Sequence, residues 1–120
     1  MQRLESITPK EATTLYLEDR QDVSQSTRYE HKCRLNRFLE WCDETGFTDM
    51  TELTGRKAVQ YRLYRSERVA TITLEHEMRT FRLFLKFCQE IDAVPNGIAS
   101  DFKVPKAKRS ERSRSVKLGE

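Results

Sequence analysis

The sequence predicts an all-α protein built from four helices arranged as two helical hairpins. Breakers are few, with four Gly and three Pro in 120 residues, while the good helix formers Glu, Arg, Leu and Lys are plentiful. Apolar residues recur at steps of three and four along four stretches, and no strand-like alternation of any length interrupts them. One septet is also written nearly twice. "FLEWCDE" from Phe38 to Glu44 and "FLKFCQE" from Phe84 to Glu90 keep Phe, Leu, an aromatic, Cys and Glu in register. Such an echo suits the second helix of each of two hairpins, whether by duplication or by convergence on one packing problem.

The elements follow in order. At "TPKE", Thr8 can cap a first helix, Pro9 suits its first turn and Glu11 closes a capping box. That helix runs to about Arg20 with Ala12, Leu15 and Tyr16 on one face. Ser24 or Ser26 can cap the second, from about Thr27 to Thr45, which stops at Gly46. Its apolar face reads His31, Leu35, Phe38, Leu39 and Cys42, which makes His31 a partly buried residue with a hydrogen-bond partner. Phe47, Met50 and Leu53 plug the core from a connecting segment. Thr54 caps a third helix, about Gly55 to Arg68, with Ala58, Val59 and Tyr61 inward. Thr71 is the expected cap of the fourth, about Ile72 to Ile91, whose stripe is Leu74, Met78, Phe81, Phe84 or Leu85, and Cys88.

Composition excludes several classes of function. No apolar run approaches the ~20 residues of a membrane span, and "MQRLESITPKE" lacks the apolar core of a signal peptide. The expectation is a soluble, cytoplasmic protein with no membrane partner and no small-molecule substrate. Cys33, Cys42 and Cys88 are odd in number, have no C-x-x-C spacing and lie beside apolar neighbours, so buried reduced thiols are expected. No metal site and no cofactor is expected, since no ligand pair has zinc spacing, and no nucleophile–base pair or phosphate loop suggests an enzyme.

The net charge of +3 is unevenly spread. Residues 1–102 hold 15 Lys and Arg against 17 Asp and Glu, whereas residues 103–120 hold 7 basic against 2 acidic. Any case for an anionic partner must therefore come from individual helix faces. On the fourth helix Arg79, Arg82 and Lys86 share one face at steps of three and four, with His76 and Thr73 upstream. Thr71 and Thr73 add hydroxyls at a helix start, where free backbone N–H groups attract anions. The second helix repeats the design with Thr27, Arg28 and Lys32, and Arg34 and Arg37 extend it if the face is wide. Arginine forks reach guanine edges or phosphates and hydroxyls take phosphates, so these faces suit duplex DNA. The plainer alternative is a solvated basic face paired with Glu30, Glu40, Glu75 and Glu90. The tail "KVPKAKRSERSRSVK" is too polar to pack, and is either a disordered terminus or a linker that follows a phosphate backbone.

With these residues in view, "STRYEHKCRLNRFLEWCDETG" resembles the first characteristic stretch of the N-terminal core-binding domain of tyrosine recombinases, the phage-integrase family. Thr27, Leu35, Phe38, Leu39 and Trp41 match, and His31 stands where that family usually has Tyr. "ATITLEHEMRTFRLFLKFCQE" resembles its second stretch. "VPNGIASDFKVPKAKR" is similar to the exit before its basic linker, with Gly97 where a Pro is common. The resemblance covers roughly residues 8–118. It implies a SAM-like bundle of four to five helices over residues 1–102, followed by a basic linker, 103–120, toward a catalytic domain beyond this sequence. It implies that the second and fourth helices cross the major groove with Arg28, Lys32, Thr73, His76, Arg79, Arg82 and Lys86. Lys106, Lys108 and Arg109 would track the backbone, and the full-length protein would assemble as a homo-oligomer on DNA. The family's nucleophilic Tyr lies in its C-terminal domain, so Tyr16, Tyr29, Tyr61 and Tyr64 are not expected to act as nucleophiles. The implied function is the DNA grip of a site-specific recombinase, without catalysis by this chain. The alternative is a freestanding helical DNA-binding regulator or protein-interaction module.

Overall fold

The computed structural model describes residues 2–108. Five α-helices form among them, α1 (Pro9–Asp19), α2 (Gln25–Thr45), α3 (Gly55–Ser66), α4 (Thr71–Glu90) and the short α5 (Ile98–Asp101), with a 3-10 turn at Met50–Glu52 and no strand. α1 packs on α2 and α3 on α4, and the two hairpins meet where α4 crosses α2 and α1. This is the all-α bundle the sequence predicts.

Local chemistry sets most boundaries. Thr8 Oγ1 accepts the N–H of Glu11 at 3.1 Å while Glu11 Oε1 accepts the N–H of Thr8 at 3.1 Å, a complete capping box before α1. Ser24, not Ser26, caps α2 by accepting the Thr27 N–H at 3.1 Å. Gly46 ends that helix at φ 74°, a conformation in which a side chain would be strained. Thr54 accepts the Lys57 N–H at 3.1 Å to cap α3. α4 departs from expectation. Extended Ala70 occupies its cap position without a side-chain hydrogen bond, and Thr71 is already the first helical residue.

Both copies of the echoed septet face the core. Phe38 is fully buried, and its ring lies 5.0 Å from that of Phe81, 5.2 Å from Tyr61 and 5.9 Å from Phe84, its counterpart in the echo. Burying one such ring contributes about 1.5–3 kcal/mol. Three inward assignments are corrected. Leu15 is 43% exposed, because α1 turns Ala12, Thr13 and Tyr16 inward instead. Val59 lies at the rim of α3 and is 36% exposed, and Cys33 is exposed while Cys42 and Cys88 are buried.

Two polar pairs fix the helices against one another. Arg65 of α3 and Glu77 of α4, both almost wholly buried, meet side by side: Nε donates to Oε1 at 2.8 Å and an Nη to Oε2 at 3.0 Å. Between α1 and α2, the Tyr16 hydroxyl meets His31 Nδ1 at 3.0 Å in a buried contact. Burial pulls His31 below the ordinary imidazole pKa, and the nearby charges of Arg20 and Arg34 add to this against Glu30. A histidine kept neutral by folding takes up its proton more readily when unfolded. Its stabilising contribution is therefore present above about pH 6.5 and is lost as pH falls below that value. Urea midpoints should accordingly drop between pH 7 and pH 5, and His31→Gln should flatten that slope.

The N-terminal segment straps the far end of the bundle. The Gln2 side chain donates to the Val94 carbonyl at 3.3 Å and accepts the Asn96 N–H at 2.8 Å. Glu5 N–H donates to the Asp92 carbonyl at 2.8 Å, and the Ile7 carbonyl accepts the Met50 N–H at 2.9 Å.

Candidate nucleic-acid interface

α4 buries Leu74, Met78, Phe81, Phe84, Leu85 and Cys88 on its apolar face, and with them the polar residues Glu75, Glu77 and Thr80. Thr71, Thr73, His76, Arg79, Arg82 and Lys86 are all exposed. Thr71 and Thr73 occupy the first turn, where backbone N–H groups lack intrahelical partners. Arg79, Arg82 and Lys86 continue as one row of cations.

The chain beyond α4 then folds back beside this row. The Ala99 N–H donates to Gln89 Oε1 at 2.8 Å. Phe102 is buried, its ring 5.3 Å from that of Phe81. Arg62 lies over the Phe102 ring at 5.4 Å and donates to the Lys103 carbonyl at 2.8 Å. Ala107 is buried while Lys106 and Lys108 on either side of it are exposed. Between α4 and this returning segment runs a groove of about 630 Å³, with Arg79, Arg82, Lys86 and Lys106 around an apolar floor of Leu83, Ala99 and Val104. The polar composition after residue 102 predicts a segment that does not pack, but residues 103–108 rest on the bundle.

The second-helix candidates are placed elsewhere. Arg28 and Lys32 line a groove of about 650 Å³ between α1 and α2, which they share with Lys10 and Glu18. Thr27 is half-buried in the first turn of α2, its Oγ1 accepting from Ser24 Oγ at 3.0 Å. Arg34 is engaged away from that groove, donating to the buried Thr80 hydroxyl at 3.2 Å with Glu30 at 3.8 Å. Arg37 pairs with Glu40 at 3.2 Å. Of the expected residues, then, Arg79, Arg82, Lys86 and Lys106 are brought together, while Arg28 and Lys32 form a separate pair. Arg109 lies outside the described residues.

Two residues that the sequence does not single out join these groups: Lys10, beside Arg28 and Lys32 in the α1–α2 groove, and Arg62, which pins the segment returning beside α4. Chemically, the α4 row offers guanidinium and ammonium donors to an extended polyanion. Among the described residues, no group of three or more His, Cys, Asp and Glu is placed to hold a metal ion, and no helix is long and apolar enough to cross a membrane.

The chain is similar to the N-terminal domain of a phage integrase/site-specific recombinase from Haloarcula marismortui, known from a crystal structure. The two superpose with a TM-score of 0.80 at 34% sequence identity, over 84% of this chain and 99% of that one. No protein-family model and no curated protein matches the chain.

Proposed function

The chain belongs to the family of N-terminal domains of phage integrases and site-specific recombinases, and from that premise we propose that it grips duplex DNA while a separate catalytic domain cuts and rejoins the strands. The observation that carries this reading is the row of Arg79, Arg82 and Lys86 on α4, continued by Lys106 across the groove. A helix fits the major groove, and cations along its outer face can take phosphates on either side while one of them reaches a base edge. Thr71, Thr73 and His76 extend that contact toward the start of α4. Arg28 and Lys32, with Thr27 at the helix start, form a second point of contact. Residues 103–120 serve as the linker, with Lys106, Lys108 and Arg109 following the backbone toward the catalytic domain. In this reading the chemistry belongs to the catalytic domain, and Tyr16 and Tyr61, buried in the core of the bundle, serve its packing. The full-length recombinase assembles on its DNA site as a homo-oligomer.

Fluorescence anisotropy of a labelled duplex, titrated with the chain from 50 to 300 mM salt, tests this. If about 6 phosphates are neutralised, the log–log slope is about −5. Absence of binding at the lowest salt, or an affinity that salt does not change, would instead make the bundle a protein-interaction module.

A further inference from the structure

One carboxylate lies in the midst of the basic face of α4. Glu75 is 1% exposed. Its Oε1 accepts the backbone N–H of Ala107 at 2.9 Å, and its Oε2 accepts a guanidinium N–H of Arg79 one turn along. Burying a charged carboxylate is unfavourable unless it is paired and hydrogen-bonded, and this one is satisfied from two directions at once. Neither partner belongs to the main hydrophobic cluster. One is a cation of the proposed DNA face, the other the main chain of the segment that leaves the bundle.

That segment takes a nearly straight course. From Gln89, where Ala99 is held, back to Glu75 is about 21 Å of helix. The end of α5 from Ala99 rises about 4.5 Å, and the extended chain from Phe102 to Ala107 adds about 17 Å. The chain therefore runs back along α4 with little slack, held by Gln89, Arg62 and finally Glu75. Alternation in an extended chain does the rest: Ala107 is turned down onto Glu75, and Lys106 and Lys108 are exposed.

We propose that Glu75 is a positioning residue of the DNA-binding face, whose single carboxylate both orients Arg79 and ties the exit segment down beside it. Lys106 is thereby set into the same strip as Arg79, Arg82 and Lys86 before DNA arrives, and the ordering of a free chain is not charged against binding. The inference rests on the proposed DNA-binding function and adds to it the device that joins linker and helix into one surface.

Two variants test it without changing net charge. Glu75→Asp keeps the carboxylate but is one methylene too short to span both partners. Ala107→Pro deletes the tethered N–H and leaves every helix untouched, so it serves if the first variant folds poorly. Hydrogen exchange across residues 103–108 and the salt dependence of duplex binding are measured on the same chains. Exchange in the segment should quicken about 10-fold or more in both variants, as expected of a locally released segment. With about one fewer phosphate neutralised, the log–log slope should become shallower by about 0.9, and affinity at 0.1 M salt should fall about 8-fold. A purely structural Glu75 would change stability and leave that slope alone. Free-chain exchange at Ala107 in the wild type, or variants that lose protection yet bind DNA as the wild type does, would overturn the inference while leaving the DNA-binding reading intact. A wild-type chain that shows no salt-dependent binding would overturn both.

Discussion

Replacing Arg79, Arg82 and Lys86 together by alanine is expected to reduce duplex affinity by about 500-fold at 0.1 M salt and to make the log–log slope shallower by about 2.7, at about 0.9 per neutralised phosphate. Arg82 and Lys86 are exposed and should cost little stability, whereas removing Arg79 takes one partner from the buried Glu75 carboxylate. The melting temperature should therefore fall somewhat, and anisotropy titrations at several salt concentrations, run where the variant is still folded, would read the loss. The single substitutions separate the roles within the row. If Arg79 reads a base, Arg79→Ala relaxes discrimination at one position of the site, whereas a phosphate-binding Arg79 would, on removal, weaken binding to all sequences alike. A triple variant that binds as the wild type does would remove α4 from the interface altogether.

The second large effect concerns stability. Glu77→Ala should lower the unfolding free energy by about 3–5 kcal/mol, because it leaves the Arg65 guanidinium buried without its partner. The fork geometry and near-complete burial of both groups are the reason to expect the upper part of the range for a single pair. For a domain whose total stability is about 5–15 kcal/mol, such a loss would leave a measurable unfolded fraction. Arg65→Met combined with Glu77→Leu should recover most of it, since well-packed apolar residues often replace a buried ion pair at no net cost. Urea denaturation of the single and double variants would show the difference. A loss below about 1 kcal/mol for Glu77→Ala would mean that water reaches the pair and screens it.

What can be read from the chain, and what cannot, divides along the range of the interactions. The caps at Thr8, Ser24 and Thr54 and the stop at Gly46 are legible because each is a bond between a side chain or turn and backbone a few residues away. The stripes of α2 and α4 are legible because long helices repeat their apolar face enough times to fix its phase. α1 and α3 are shorter and have few apolar residues, so their pattern points Leu15 and Val59 inward although tertiary packing turns them out. The cap of α4 misleads because Thr71 has the right chemistry one position too late.

The candidate site divides in the same way. The three- and four-residue spacing of Arg79, Arg82 and Lys86 reports their common face directly. That Arg28 and Lys32 open onto a different groove depends on how α1 lies against α2, which no local pattern encodes. The packing of residues 103–108 is hidden for the same reason. Its anchors, Arg62 and Glu75, are far from it in sequence, and Glu75 has the look of an ordinary surface partner for Arg79.

The N-terminal strap has a bearing on how the chain comes to be made. Gln2 and Glu5 are translated before any helix of the bundle, yet their hydrogen-bond partners, Asp92, Val94 and Asn96, follow α4. The Ile7 carbonyl can meet the Met50 N–H once α2 has been made. However, α3 and α4 are synthesised while Gln2 and Glu5 still lack their partners, and contacts so distant in sequence are slow to close. Gln2 and Glu5, made before α1, are therefore fastened only after α4, and this end of the nascent bundle remains unlatched until the turn after α4 has cleared the exit tunnel.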